Sequence, residues 1–250
     1  MIERNEMIFG IRAVMEAIES GKEIDKVFLK KDLQGELSKE LTTLLKSSFI
    51  PVQRVPIEKL NRLTKKNHQG VVAFISPITY ERTENLVPTL FEAGKVPLLL
   101  LLDGITDVRN FGAIARTCEC AGVDGIIIPA KNSVSVNADA IKTSAGALHT
   151  LPVCREQNIL QTIKYLKESG FKIVAATEKG DYDYTRAQYV DPTCIIMGAE
   201  DTGVPYEHLA LCDEWVKIPM IGKIASLNVS VAAGILIYQA IQQRGAFCGE

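Results

Sequence analysis

No stretch of this 250-residue chain approaches the roughly 18–20 consecutive apolar residues of a membrane helix; the leucine run Leu98 to Leu102 stops at five. The opening MIERNEM is charged and lacks the apolar core of a signal peptide. The six cysteines (118, 120, 154, 194, 212 and 248) contain no C-x-x-C pair, and a chain of this size needs no disulfide staples. Reduced thiols in the cytoplasm are the simplest reading. The histidines at 68, 149 and 208 are far apart and show no metal spacing, so no metal is expected. G-x-G-x-x-G and G-x-x-x-x-G-K-[ST] are both missing, which disfavours a standard dinucleotide or P-loop site. A G-x-S-x-G elbow for a serine hydrolase is missing too. Collagen, coiled coil, membrane protein and secreted mini-protein are thereby excluded.

What is present is a well-filled globular composition: 47% apolar residues, 23% charged, and a net charge of −2, enough for one large core or two modest ones. The first 76 residues read as a small α/β unit. Ile11, Val14, Met15 and Ile18 fall at helical spacing with Gly21 as the stop, and Val27 to Leu29 form a strand. Leu33, Leu37, Leu41 and Leu44 mark a second helix, and PVQRV and GVVAFIS two further strands. Up to Tyr80 there are 13 Lys plus Arg against 10 Asp plus Glu, leaving a deficit of about five for the remainder. The surplus includes Lys30-Lys31 and Lys65-Lys66, with Arg54 and His68 nearby; it reads as solvated surface or as a phosphate-facing patch. Residues 77–96, with two prolines, read as a linker joined to a short helix.

From Pro97 onward short apolar runs alternate with helical segments. LLLLLD, DGIIIP, LPVC, KIVAAT, CIIMGA and WVKIP are continuous rather than alternating, which indicates strands buried on both faces in a mainly parallel sheet. Helices are expected at 111–122, 138–148, 158–169 and 205–211. A long final helix is expected from Asn228 to Arg244, with Val231, Ile235 and Tyr238 at helical spacing. Ligands of such sheets bind at the carboxyl ends of the strands, where three segments place small and polar residues. In Asp103 to Arg116, Asn110 and Gly112 suit a tight turn into a helix that carries Arg116. In Met197 to Gly203, Gly198 lets a ligand approach the backbone, and Glu200 adds a carboxylate. In Ile218 to Ser230, Ser226 and Asn228 are placed to cap the last helix. Singly, each is an ordinary turn or cap.

Together and in this order, NFGAIAR, IIMGAEDTGV and IPMIGKIASLNVSVAAGI resemble the three motifs of the SpoU family of RNA ribose methyltransferases, in the SPOUT class. MIFGIRAVMEAIES and HQGVVAFISP are similar to the two ends of that family's small substrate-binding domain, itself similar to a ribosomal-protein fold. The resemblance spans nearly the whole chain and is greatest to the subgroup that methylates a guanosine ribose in large-subunit (23S) ribosomal RNA. One departure is Asp201, where members commonly carry glycine; a second carboxylate beside Glu200 is expected to tune loop geometry or repel RNA phosphate.

The resemblance implies a substrate-binding domain at 1–76, a linker at 77–96 and a methyltransferase domain at 97–250 whose sheet is tied in a deep trefoil knot. It implies S-adenosylmethionine as methyl donor, held by Thr177, Gly198, Ile218, Met220, Ser226 and Leu227. It also implies a homodimer whose active site is completed across the interface, and a polar ring of Asn110, Arg116, Glu200, Ser226 and Asn228 around the acceptor. Arg116 is given one of two roles: taking the hydroxyl proton with help from RNA phosphate, or stabilising developing negative charge while water takes the proton. RNA phosphate contacts are assigned to Arg12, Lys30, Lys31, Arg54, Lys65, Lys66 and Arg109, which position RNA without reading its sequence. Methylation of transfer RNA, or a non-catalytic RNA-binding or assembly role, are the other readings.

Overall fold

The computed structural model describes residues 7–245; the start of MIERNEM (1–6) and Cys248 lie outside the described residues. Two compact units divide the chain. One holds residues up to Thr79 with Ser135–Asn137, and the other holds Tyr80–Val134 and the chain from Ala138 onward.

The first unit is a four-stranded sheet in the order β1-β4-β2-β3, built from β1 (Met7–Phe9), β2 (Ile24–Lys30), β3 (Val52–Val55) and β4 (Val71–Ile75). Only β2 and β3 run parallel. Helices α1 (Ile11–Glu19) and α2 (Glu36–Ser47) bury one face over Val14, Val27, Leu29, Leu41, Leu45 and Val71. Helix α3 (Ile57–Leu63) covers Phe28, Val55 and Val72 on the other, through Leu60. The expected α2 stripe is corrected: Leu33 precedes the helix, Leu37 is exposed, and the buried positions are Ser38, Leu41 and Leu45. β1 and α3 were not anticipated. Nor was the fate of His68, which is buried rather than part of a basic surface. Its Nδ1 accepts from the Gly70 amide at 3.0 Å, so Nε2 carries the proton donated to Asn61 Oδ1 at 2.9 Å. Gln69, at φ 51°, uses its Oε1 to accept the Ile11 amide at the start of α1. The His-Gln-Gly segment is thus a turn that fastens the first helix.

The second unit holds a seven-stranded sheet, every ladder parallel, in the order β7-β6-β5-β10-β8-β11-β9. The strands are β5 (Leu98–Asp103), β6 (Gly125–Pro129), β7 (Val153–Glu156), β8 (Lys172–Ala176), β9 (Tyr182–Asp183), β10 (Thr193–Gly198) and β11 (Glu214–Lys217). The two-residue β9 was not anticipated. Helices α4 (Thr83–Glu92), α7 (Ile159–Glu168) and α8 (Tyr206–Leu209) close one core with Leu99, Leu101, Ile173 and Ile196. Leu98, Leu100 and Leu102 point the other way, where α5 (Val108–Cys120), α6 (Ala138–Thr143) and α9 (Val229–Gln243) lie. The short helix expected within 77–96 is α4, which runs despite Pro88 and buries Val87 and Leu90 in the second unit. The expected stripe of α9 is also corrected. Val231 and Tyr238 are exposed, and the buried face is Ala233, Leu236, Ile237, Ala240 and Ile241. A helix apolar almost all round gives periodicity no face to choose. Among the described residues no helix is long and apolar enough to cross a membrane.

Candidate active site

Parallel strands bring all their carboxyl ends to one edge, and the three polar segments meet there in the second unit. β5 ends at Asp103 and hands over to α5, which starts earlier than expected. Asp107 is its N-cap, accepting the Asn110 amide at 2.8 Å, so Asn110 lies in the first helical turn and Gly112 inside the helix. β10 ends at Gly198, beside Asp103 in the ladder. The chain then doubles back: the Gly203 amide donates to the Ala199 carbonyl at 2.9 Å. A Cβ on Gly198 would stand 2.1 Å from the Gly203 carbonyl carbon, so glycine is required for the chain's own turn to close. The turn's positive φ, 66°, falls on Gly203, and the exposed Asp201 meets no demand for a left-handed backbone. The third segment runs from β11 to α9, where Asn228 is the N-cap and accepts the Ser230 amide at 2.9 Å. Ser226 does not share that cap; it is exposed in the preceding loop.

Asn110, Glu200 and Asn228 converge in space. Glu200 Oε1 accepts from Asn110 Nδ2 at 3.0 Å, from Asn228 Nδ2 at 3.3 Å and from the Val229 amide at 3.4 Å. Asn228 Nδ2 also donates to Asn110 Oδ1 at 3.0 Å. One carboxylate oxygen thus collects donors from two different helices, one of them at a helix N-terminus where negative charge is favoured. Beside this cluster lies a cavity of about 640 Å³, within the range of small-molecule sites. Thr177, Gly198, Ile218, Met220, Ser226 and Leu227 all line it, as do Glu200 and Asp201. Val204, Leu209, Val216 and Ala232 line it as well; they went unremarked in sequence because an apolar residue next to a strand carries no distinguishing signal. Among the described residues, no backbone–backbone hydrogen bond is formed by 218–227, so the peptide groups of this wall are open to a ligand.

Arg116 does not join the cluster. It is exposed on α5, and no hydrogen bond or ion pair links it to a described residue. Of the basic residues, Lys31 and Arg54 are adjacent, Arg54 Nη1 donating to the Lys31 carbonyl at 3.2 Å, and Lys66 Nζ stands 5.6 Å from the Phe9 ring centre. Arg12 and Lys65 are exposed, Lys30 is half-buried, and Arg109 is exposed on α5 in the second unit. No group of three or more His, Cys, Asp or Glu able to hold a metal ion occurs among the described residues.

Residues 97–238 match the model of the SpoU rRNA Methylase family, and residues 7–81 match that of RNA 2′-O ribose methyltransferase substrate binding. The chain belongs to the SpoU rRNA methylase family. It is an RNA ribose methyltransferase by that membership. A Staphylococcus saprophyticus relative named a putative TrmH family tRNA/rRNA methyltransferase is 37% identical, covering 95% of this chain and 96% of its own. The Photobacterium profundum protein named 23S rRNA (guanosine-2′-O-)-methyltransferase RlmB is 36% identical, covering 96% and 98%. Among solved structures, the SpoU methyltransferase AviRb from Streptomyces viridochromogenes superposes with a TM-score of 0.61 over 97% of this chain and 90% of its own, at 23% identity. A TrmH/SpoU tRNA modifying enzyme of A. aeolicus gives 0.56 over 66% and 85%, at 29% identity.

Proposed function

We propose that this SpoU-family chain transfers the methyl group of S-adenosylmethionine to the ribose 2′-hydroxyl of a guanosine in large-subunit ribosomal RNA. The observation that carries the reading is the convergence of Asn110, Glu200 and Asn228 beside a cavity lined by all six donor-binding candidates. The RlmB relative, whose name states this reaction, aligns over nearly the whole chain and supports the choice of RNA. The residues fit the donor. A 640 Å³ cavity lined by apolar residues interspersed with charged and polar ones, with unpaired peptide groups along 218–227, suits an adenosine and a methionine moiety together. When bound, the donor supplies a methyl carbon activated by a sulfonium leaving group.

The protein's own task is alignment and removal of the hydroxyl proton. Asn110 and Asn228 tie down Glu200, which lines the cavity, and so fix its carboxylate for orienting the ribose. Arg116 provides positive charge at the attacked oxygen, either accepting the proton with help from phosphate or stabilising the oxyanion while water accepts it. Its exposure away from the cluster supports an active site completed by a second copy of the chain. The exposed apolar residues Ile221, Ile224, Val231 and Tyr238 give that copy a surface to cover. The bonds from Asn228 and Val229 to Glu200 in the turn at 198–204 support, as a reading, the trefoil knot that the family resemblance implies. In the first unit, Lys31, Arg54, Lys65 and Lys66 supply phosphate contacts, and the family match over residues 7–81 supports that role.

The test offers radiolabelled S-adenosylmethionine with unmodified large-subunit ribosomal RNA and, separately, transfer RNA. Label recovered as 2′-O-methylguanosine from the ribosomal RNA is the expected result. Label confined to transfer RNA overturns the substrate, and donor binding without transfer to either RNA leaves the non-catalytic role.

A further inference from the structure

The cavity turn is gripped at its far end by a pair of side chains that the reaction itself does not use. Asp103 closes β5, and His208 sits on α8; both are buried, and His208 Nδ1 lies 2.5 Å from Asp103 Oδ2. An ionised carboxylate only accepts, so Nδ1 carries the proton and donates it. His208 is the side chain hydrogen-bonded to Asp103 among the described residues. The placement of the two matters more than the bond. Asp103 begins the loop that delivers Asn110, while His208 ends the segment that starts at Gly198 and carries Glu200. The same two segments meet again at the rim, where Asn110 Nδ2 donates to Glu200 Oε1 at 3.0 Å. Two loops tied to each other at both ends form a closed brace, and Leu209, next to His208, lines the cavity.

We propose that Asp103 and His208 are positioning residues, a buried strut that fixes the Glu200 turn against the Asn110 loop and so sets the alignment of acceptor and donor. A charged hydrogen bond at the buried end fixes the angle at which the turn leaves the sheet. Without it α8 keeps the bond from Trp215 Nε1 to the Leu209 carbonyl at 2.8 Å, which ties it to β11, and loses this tie to the end of β5 that leads to Asn110. The proposal rests on the functional reading above only for its activity readout.

The experiment compares the full-length wild type with His208→Ala and His208→Asn, whose Nδ2 can donate from near the place of the imidazole Nδ1. Three quantities are measured: S-adenosylmethionine affinity by calorimetry, kcat and KM for RNA methylation, and amide hydrogen exchange of residues 199–204. His208→Ala should lower kcat by about tenfold or more, as misplacement of reacting groups does. The KM for RNA should hold, and exchange at 199–204 should quicken while that of β5 and β10 does not. His208→Asn should restore most of both. Equal losses in the two variants, or losses that follow a fall in folded fraction across the whole second unit, overturn the proposal. So does an alanine variant with unchanged kcat and exchange. If the wild type methylates no RNA, the functional reading has failed, and hydrogen exchange at 199–204 still decides for or against the strut.

Discussion

Arg116 lies six residues beyond Asn110 on α5, which at 100° per residue turns it roughly 120° away from the amide that Glu200 engages. It lines no part of the cavity, so Arg116→Ala should leave S-adenosylmethionine affinity unchanged while cutting methyl transfer by at least about a hundredfold, the usual scale of a lost proton-transfer or charge-stabilising group. Calorimetry beside a transfer assay checks both halves, and collapse of donor affinity would remove Arg116 from the chemistry. The cysteines respond to burial in the opposite sense. Burial pushes the Cys118 and Cys194 thiols far above their ordinary range and the Cys154 thiol up to about 12, while Cys120 is exposed. The thiolate is the reactive form, so native protein treated with an alkylating reagent near pH 8 should be modified at Cys120 and spared at 118, 154 and 194 until it is denatured. Peptide mass mapping reads the order of labelling.

Helix α5 owes its seat to one missing side chain. A Cβ at Gly112 would lie 2.6 Å from Thr143 Cβ and 3.1 Å from the Ala140 carbonyl, so α5 and α6 meet only because position 112 is bare. Gly112→Ala should cost about 1–3 kcal/mol as overpacking, read as a lower denaturant midpoint, and should displace Asn110 at the helix start. Sequence pattern had placed this glycine in a turn, because a glycine ahead of a helical stretch looks the same whether it ends a loop or makes room for a neighbour. The strands were far more legible. Leu98–Asp103, Gly125–Pro129 and Thr193–Gly198 are short, almost wholly apolar runs because both faces are covered, and their shortness and bounding turn residues set them apart from the equally apolar but longer α9. Met7–Phe9 and Tyr182–Asp183 are too short to hold a period at all. The polar site was legible as three motifs but not as contacts: Asn110 and Asn228 touch across 118 positions of sequence, a proximity that only the sheet order creates. Asp103 and His208, 105 positions apart and each an ordinary polar residue at an element's end, gave no signal whatever.

The second unit as a whole is fastened from beneath by Arg244. Its guanidinium donates to the carbonyls of Val96 at 2.5 Å, Pro97 at 3.2 Å, Tyr189 at 2.7 Å and Asp191 at 2.7 Å, while Gln243 holds the Tyr189 amide and the Ala187 carbonyl. A planar fork is needed to reach four acceptors, so Arg244→Lys should recover little of what Arg244→Ala loses. The alanine variant should unfold at lower denaturant by about 3 kcal/mol, the scale of charged hydrogen bonds left without a donor. Equal stability of the lysine variant and wild type would show that charge alone suffices.

The position of β10 has a consequence on the way to this structure. β10 sits between β5 and β8, pairing Thr193 with Leu98 on one side and with Lys172 on the other. Without β10 the strand order falls into two halves, β7-β6-β5 and β8-β11-β9, and the facing edges of β5 and β8 lack a partner. Such edges recruit one another between molecules as readily as they recruit the missing strand. Refolding from denaturant should therefore be a race between insertion and self-association. The recovered yield should drop as protein concentration rises, and adding donor should not change it, because the wall that receives the donor is assembled only after the central strand is in.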